Sequence, residues 1–233
     1  MTAGVMERAL AVHPTADRIS AVPSPSRRAP WLLAADLVAI LLFAGEGARL
    51  GITAGLDVIG VLTVGFVSSL GGGLMRDVLC HAAPPAALRS ITYPATAFLG
   101  GTVAITGYHL LPAIPLGVRA PLDAAALGLF CVVGAIKAVD CGMRSSAAVL
   151  LGALSAVGGG VLRDVLLGVV PSALRTDMAA LAVLCGAGVT VVALRCNAAR
   201  GLAAGAGVAT CVVISLLSAA LGWQLPPIAG SPG

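Results

Sequence analysis

Two stretches decide the fold: SSLGGGLMRDVL at 68–79 and SAVGGGVLRDVL at 155–166. Both read Ser-x-x-Gly-Gly-Gly-x-x-Arg-Asp-Val-Leu, and Ser68 and Ser155 set the offset at 87 residues. The same offset extends outward from the motif. Asp36 falls on Asp123, Leu42-Phe43 on Leu129-Phe130, Gly47-Ala48 on Gly134-Ala135, Gly55 on Gly142 and Gly65 on Gly152. No gap is needed from 36 to 79; one residue is then lost, so that Pro85 and Arg89 fall on Pro171 and Arg175. Self-similarity over such a span predicts two copies of one structural unit.

The composition fixes the solvent of these units. Of 233 residues, 58% are hydrophobic and 10% are charged, against roughly 45–50% and 25% in soluble domains. Mean hydropathy is +1.02. A soluble globule and a disordered chain are both excluded. With 3% aromatics, nucleic acid is not an expected partner, because single-strand binding relies on aromatic stacking. The class predicted is an all-α membrane protein.

Seven apolar segments lie at about 31–50, 57–80, 91–111, 121–140, 145–168, 175–195 and 201–222. Each is near the ~20 residues a transmembrane helix requires. Repeat 1 spans about 31–111 and repeat 2 about 121–195, with helix 7 at about 201–222. Three spans per repeat is an odd number, so the second repeat enters from the side opposite the first. Two inverted three-helix repeats plus a seventh helix are therefore expected, within one transmembrane domain at 31–222. Inverted repeats place transport pathways at their interface. Residues 1–30 are polar and lack a signal-peptide core, and are read as a disordered tail; 223–233 form a short C-terminal tail. Trp31 and Trp223 sit at the outer ends of the first and last segments, as interfacial aromatics do.

The doubled motif carries the chemistry. Three consecutive glycines weaken a helix, at about 1 kcal/mol each relative to alanine, and predict a break or kink. A break at membrane depth frees carbonyls that must face protein or water and that can coordinate a cation. Gly71, Gly72, Gly73, Gly158, Gly159 and Gly160 are thus candidate pore-lining positions, with Ser68 and Ser155 as hydroxyl ligands. The alternative is that the glycines serve close helix packing. Arg76, Asp77, Arg163 and Asp164 are ionisable groups at or near membrane depth, where such groups face a cavity or a partner. Adjacent residues do not share a helix face, so Arg76 is expected to reach Asp36, and Arg163 to reach Asp123, rather than the neighbouring aspartates.

Lys137 reads two ways, as a lysine snorkelling to the membrane surface or as a pore-facing charge; its repeat equivalent is Leu50. Asp140 is placed to modulate it, and Glu46 and Arg49 are spaced to pair. The six cysteines, 80, 131, 141, 185, 196 and 211, form no CxxC pair and are read as small packing residues. No metal site and no cofactor is implied. Arg8, Arg18, Arg27, Arg28, Arg89, Arg144, Arg195 and Arg200 gather on one side, against Arg49, Arg119 and Arg175 on the other. The positive-inside rule then places the N-terminus in the cytoplasm.

Seven helices, a 3+3 duplication and paired GGGxxRD motifs resemble the prokaryotic branch of the trimeric intracellular cation (TRIC) channels, a bacterial membrane family some of whose members are described as glycine transporters. The resemblance covers about 31–222. It implies a homotrimer in the cytoplasmic membrane, with one pore per protomer between the repeats and the second and fifth helices kinked at the glycines. Monovalent cations, K⁺ and less selectively Na⁺, would permeate, and membrane lipids would be the other partners. Animal relatives carry Lys-Glu-Val-x-Arg on the fourth helix; here the residues are Lys137-Ala138-Val139-Asp140-Cys141. Only the pore-facing lysine carries over. The animal relatives also imply an N-terminus outside the cytoplasm, opposite to the charge count.

The leading expectation is a passive K⁺-permeable channel. The competing one is a secondary carrier for a small zwitterionic amino acid such as glycine. No HExxH, nucleophile elbow or Cys/His cluster suggests an enzyme.

Overall fold

Each of the seven apolar segments contains a long helix among its described residues. The structure is a computed structural model that describes residues 30–82, 84–110, 116–175 and 178–223. Except for Pro30 and Trp223, the two tails expected at 1–30 and 223–233 lie outside the described residues. In chain order the helices are α1 (Pro30–Thr53), α2 (Val58–Leu79), α3 (Ala86–Arg89), α4 (Thr92–Leu110), α5 (Leu116–Asp140), α6 (Ser145–Leu166), α7 (Ser172–Arg175), α8 (Ala179–Arg195) and α9 (Arg200–Leu221). No strand occurs among the described residues. Five helices, α1, α2, α5, α6 and α9, are long and apolar enough to cross a membrane, and α8 is a shorter apolar helix.

Three boundaries differ from the sequence reading. The third segment of each repeat is preceded by a four-residue helix, α3 or α7. Both follow the aligned prolines Pro85 and Pro171, and proline suits the entry to a helical turn. The fourth segment starts at Leu116, so Pro121 lies inside α5.

The turn between the first two helices of each repeat is the same turn. Gly55 and Gly142 both adopt φ of 76°, and the amides of Leu56 and Met143 close back on the carbonyls of Gly51 and Ala138 at 3.1 Å. This is a glycine-terminated helix end, where a side chain would be strained. Asp57 then caps α2 by accepting from the Gly60 amide at 2.7 Å.

Burial runs opposite to that of a soluble protein. Buried positions are rich in alanine, including Ala39, Ala44, Ala48, Ala135, Ala138, Ala182 and Ala187, and include Asp36, Arg76, Asp77, Arg163 and Asp164. Large aliphatics such as Leu33, Val38, Val103, Val192, Leu202 and Leu217 point outward. In lipid no hydrophobic drive brings helices together, so small residues pack the interfaces and polar groups face inward.

At the centre α2 crosses α6, and the glycine triplets make the crossing possible. The expected breaks are absent: helix α2 runs continuously through Gly71–Gly73 and α6 through Gly158–Gly160. The glycines supply proximity instead. A Cβ on Gly71 would strike the Leu162 side chain, and one on Gly158 would lie 3.1 Å from Met75 Sδ. Cβ atoms on Gly72 and Gly159 would run into the backbone carbonyl oxygens of Ser155 and Ser68. The third glycines, Gly73 and Gly160, face the guanidiniums of Arg76 and Arg163 one turn on, where a Cβ would make only ordinary contact. The first two glycines of each triplet thus admit a side chain and a carbonyl, in that order, in both copies.

Around this crossing α1 packs on α2 and α4, while α5 packs on α6, α8 and α9. Helices α1 and α5 also touch. The seventh long helix breaks the likeness of the halves, since α9 lies against both α5 and α8. There Gly186 and Gly207 allow backbone contact, and Thr190 donates to the Gly186 carbonyl at 2.9 Å.

Candidate functional site: two equivalent charged spaces

Asp36, on α1, is the hub of the first half and is almost wholly buried. Its Oδ2 accepts from Lys137 Nζ at 2.7 Å and from the Tyr93 hydroxyl at 3.3 Å. Its Oδ1 lies 3.4 Å from an Arg76 terminal nitrogen. Arg76 also donates through Nε to Asp77 Oδ1 at 2.9 Å, and Asp77 Oδ2 accepts from the Ala86 amide at 2.9 Å. The chain of contacts links α1, α2, α4 and α5 to the start of α3.

Two sequence expectations are corrected here. Arg76 does pair with its neighbour Asp77. The pair sits in the last turn of α2, where the long arginine stem can fold back along the helix end. Asp36 is its second partner, as expected. In the second half, Arg163 pairs with Asp164 at 2.8 Å and not with Asp123. Asp164 Oδ2 accepts from the Ser172 amide at 2.9 Å and hydroxyl at 3.1 Å, repeating the Asp77–Ala86 arrangement. Asp123 instead lies 3.5 Å from Arg119, four residues back on its own helix.

Lys137 neither snorkels to a surface nor stands free in a pore. Its ammonium is held inside the protein by Asp36. Asp140 pairs with Arg200 at 2.7 Å, not with Lys137. Glu46 and Arg49 form the expected pair, through two hydrogen bonds of 2.7 and 2.9 Å.

Two spaces lie beside these charges. The first, lined by Asp36, Ile40, Gly73, Arg76, Asp77, Tyr93 and Phe130 among others, measures about 10 Å³, room for about one water. The second is an open cavity of about 620 Å³. Its wall includes Asp123, Leu127, Gly160, Arg163, Asp164, Ala179 and Phe43, the repeat equivalents of those seven residues in the same order. The wall also holds Glu46, Leu50 and Arg119. The two spaces are therefore one site built twice, contracted in one copy and open in the other. Tyr93 is replaced by Ala179 and Lys137 by Leu50, which removes the two side chains that donate to Asp36 Oδ2 in the first copy.

Of the predicted site residues, the third glycines and the Arg-Asp pairs border the spaces. Ser68 and Ser155 line neither. They sit at the helix crossing, buried and with unpartnered hydroxyls, their Cβ atoms facing Gly47 and Gly134. Sequence reasoning missed Tyr93, Arg119 and the phenylalanine pair. Phe43 and Phe130 did stand in the repeat alignment, and that was the available signal. No group of His, Cys, Asp and Glu suited to a metal ion occurs among the described residues, and the six cysteines are free thiols.

Comparison with known proteins places this architecture. The sequence family described as glycine transporter matches residues 33–109 and 121–195, one match per repeat. A UPF0126 membrane protein of Deinococcus radiodurans is 39% identical over 160 residues, covering 68% of this chain and 73% of that protein. The UPF0126 inner membrane protein YadS of Escherichia coli K12 is 32% identical over 156 residues, 67% of this chain and 74% of its own. Among solved structures, one from work on conductance through TRIC cation channels superposes with a TM-score of 0.79 at 30% identity, covering 86% of this chain and 98% of that one. The trimeric intracellular cation channel orthologue from Rhodobacter sphaeroides gives 0.78 at 28% identity, covering 83% and 100%. Its relatives and its outward-facing aliphatics agree that this is an integral membrane protein. The chain belongs to the family described as glycine transporter and has the fold of the TRIC cation channels.

Proposed function

We propose that the chain is a monovalent cation channel, permeable to K⁺, that assembles as a homotrimer with one pathway in each protomer. Seven spanning helices, in two inverted three-helix repeats plus α9, would form each protomer. The observation that carries this reading is the pair of repeat-equivalent charged spaces, back to back across Phe43 and Phe130. Inverted repeats put a pathway at their interface; the large cavity is lined by both repeats, and the small space meets the second repeat at Phe130. The first half is the pathway's closed end, plugged by the Lys137 ammonium; the large cavity is its open mouth. Every arginine that borders the spaces has a carboxylate partner, which lowers the barrier that an unpaired arginine would raise against a cation. The likeness to TRIC cation channels over most of the chain supports the same reading.

Single-channel recording of the purified protein in planar bilayers under a KCl gradient tests it. Discrete openings that reverse near the K⁺ potential are expected, and Lys137→Met should raise open probability. A folded protein silent at all voltages would overturn the channel.

A second reading has its own support. One end closed and the other open is the asymmetry an alternating-access carrier requires. The cavity wall also carries three carboxylates and two guanidiniums, able to hold both ends of a zwitterion. Saturable glycine uptake by proteoliposomes, without ohmic K⁺ current, would select the carrier.

A further inference from the structure

The duplicated site is satisfied in one copy and underbonded in the other. Asp36 has three donors: Lys137 at 2.7 Å, Tyr93 at 3.3 Å and Arg76 at 3.4 Å. Asp123, its repeat equivalent, has one ion-pair partner among the described residues, Arg119 Nε at 3.5 Å. That distance is long for a charge-assisted hydrogen bond, which is about 2.7–2.9 Å. Arg119 Nε is itself buried and without a hydrogen-bond partner. The two charges are near each other but poorly joined.

The residue that completes the first copy is known by name. The Lys137 ammonium reaches Asp36 from α5, across the α1–α5 contact. Its equivalent on α1 is Leu50, whose side chain ends in hydrocarbon and lines the same cavity as Asp123. Glu46, one turn before Leu50, also lines that cavity and lies close enough to Asp123 for their charges to interact. Its own oxygens are engaged by Arg49, whose positive charge also acts on Asp123 and offsets part of the negative potential of Glu46, so Glu46 is no free ligand.

We propose that Asp123, with Glu46 behind it, forms a seat for one small monovalent cation of ammonium size, equivalent to the seat that the Lys137 ammonium takes on Asp36. The protein displays the intended ligand chemistry within itself: a primary ammonium on a buried carboxylate. K⁺ and ammonium ions are close in size and charge, and both suit such a seat. Arg119, 40% exposed at the cavity wall, is the competing cation and swings aside when the seat is filled. The inference rests on the reading that this cavity is the mouth of the pathway.

Saturation-transfer NMR of methylammonium chloride with the full chain in detergent micelles tests the seat directly. Saturable binding, competed by KCl, is expected for the unaltered protein. Leu50→Lys supplies a tethered ammonium and should weaken methylammonium binding at least tenfold; Leu50→Met, of similar length and uncharged, should leave it unchanged. Asp123→Asn should weaken it at least tenfold, and Arg119→Gln should tighten it. Leu50 and Arg119 line an open cavity, so these variants should fold, and melting temperatures within a few degrees of the parent confirm it.

Absence of saturable binding to the unaltered protein would overturn the seat. So would equal binding by folded Leu50→Lys and Asp123→Asn proteins, and a K⁺ current persisting in the parent would then leave the channel reading standing. Loss of binding in those variants with no K⁺ current in any protein would establish the seat and overturn the channel.

Discussion

Phe43 and Phe130 meet edge to face, their ring centroids 5.0 Å apart at 70°. They occupy equivalent positions in the two repeats, one on α1 and one on α5, and each looks into the space built by the other repeat. The pair is the wall between the closed and the open copy of the site. An aromatic edge against an aromatic face adds about 0.5–1.5 kcal/mol to the burial of the rings, so the wall is a fixed element.

Truncating either ring should therefore open the wall. Phe43→Ala and Phe130→Ala are each expected to raise K⁺ efflux from proteoliposomes several-fold, and the double variant to raise it most. Buried Phe→Ala changes cost about 3–5 kcal/mol, so melting temperatures should fall as well. Efflux unchanged in both folded single variants would move the barrier away from this pair.

The Asp36 hub predicts an order of stabilities. Lys137→Met leaves Asp36 with Arg76 and Tyr93, and leaves a methionine of similar length in place. Asp36→Asn instead leaves a buried ammonium without a counter-charge and Arg76 with Asp77 alone. Removing one member of a buried ion pair costs about 3–5 kcal/mol. Thermal unfolding in detergent should thus rank Asp36→Asn well below Lys137→Met. The reverse ranking would mean that Lys137, not Asp36, organises this half.

The glycine triplets predict opposite signs for the same chemical change. Alanine is favoured over glycine inside a helix by about 1 kcal/mol, and Gly188, with nothing within 4 Å of its Cβ position, should show that gain or be neutral. Gly72→Ala and Gly159→Ala should destabilise despite it, because the new methyl meets a backbone carbonyl that cannot move alone. Stabilisation by Gly72→Ala would show that α2 and α6 do not cross as closely as described.

The repeat made most of this legible. An offset of 87 residues already paired Asp36 with Asp123 and Arg76 with Arg163, and the helical segments followed from hydropathy alone. Two things did not follow. Spacing rules exclude contact between adjacent side chains on a helix face, yet Arg76 and Arg163 sit in terminal turns, where a flexible stem can double back to the next residue. The glycine runs left two readings open, a break in the helix or close helix packing, and the structure uses them to admit a second helix. That depends on what lies opposite, which no local pattern records. The asymmetry between the copies was read in the sequence as Lys137 against Leu50, and its consequence required knowing that Lys137 reaches Asp36 and that Leu50 and Asp123 line one cavity.

Asp77 and Asp164 give a last test, because each joins an arginine to the backbone of the following connection. Asp77 holds the Ala86 amide; Asp164 holds the Ser172 amide and hydroxyl. Asparagine at either position keeps one acceptor oxygen but loses the charge and the second acceptor. The arginine and the connection can then no longer both be satisfied. Local opening of the α2–α4 and α6–α8 connections should follow, read as faster amide exchange confined to 84–92 in Asp77→Asn and to 168–175 in Asp164→Asn. Ser172→Ala removes only the hydroxyl contact, so it should speed exchange in the second connection by less than Asp164→Asn does. Equal exchange in all three variants and the parent would mean that the carboxylates hold only their arginines, and that the short helices α3 and α7 are kept in place by packing.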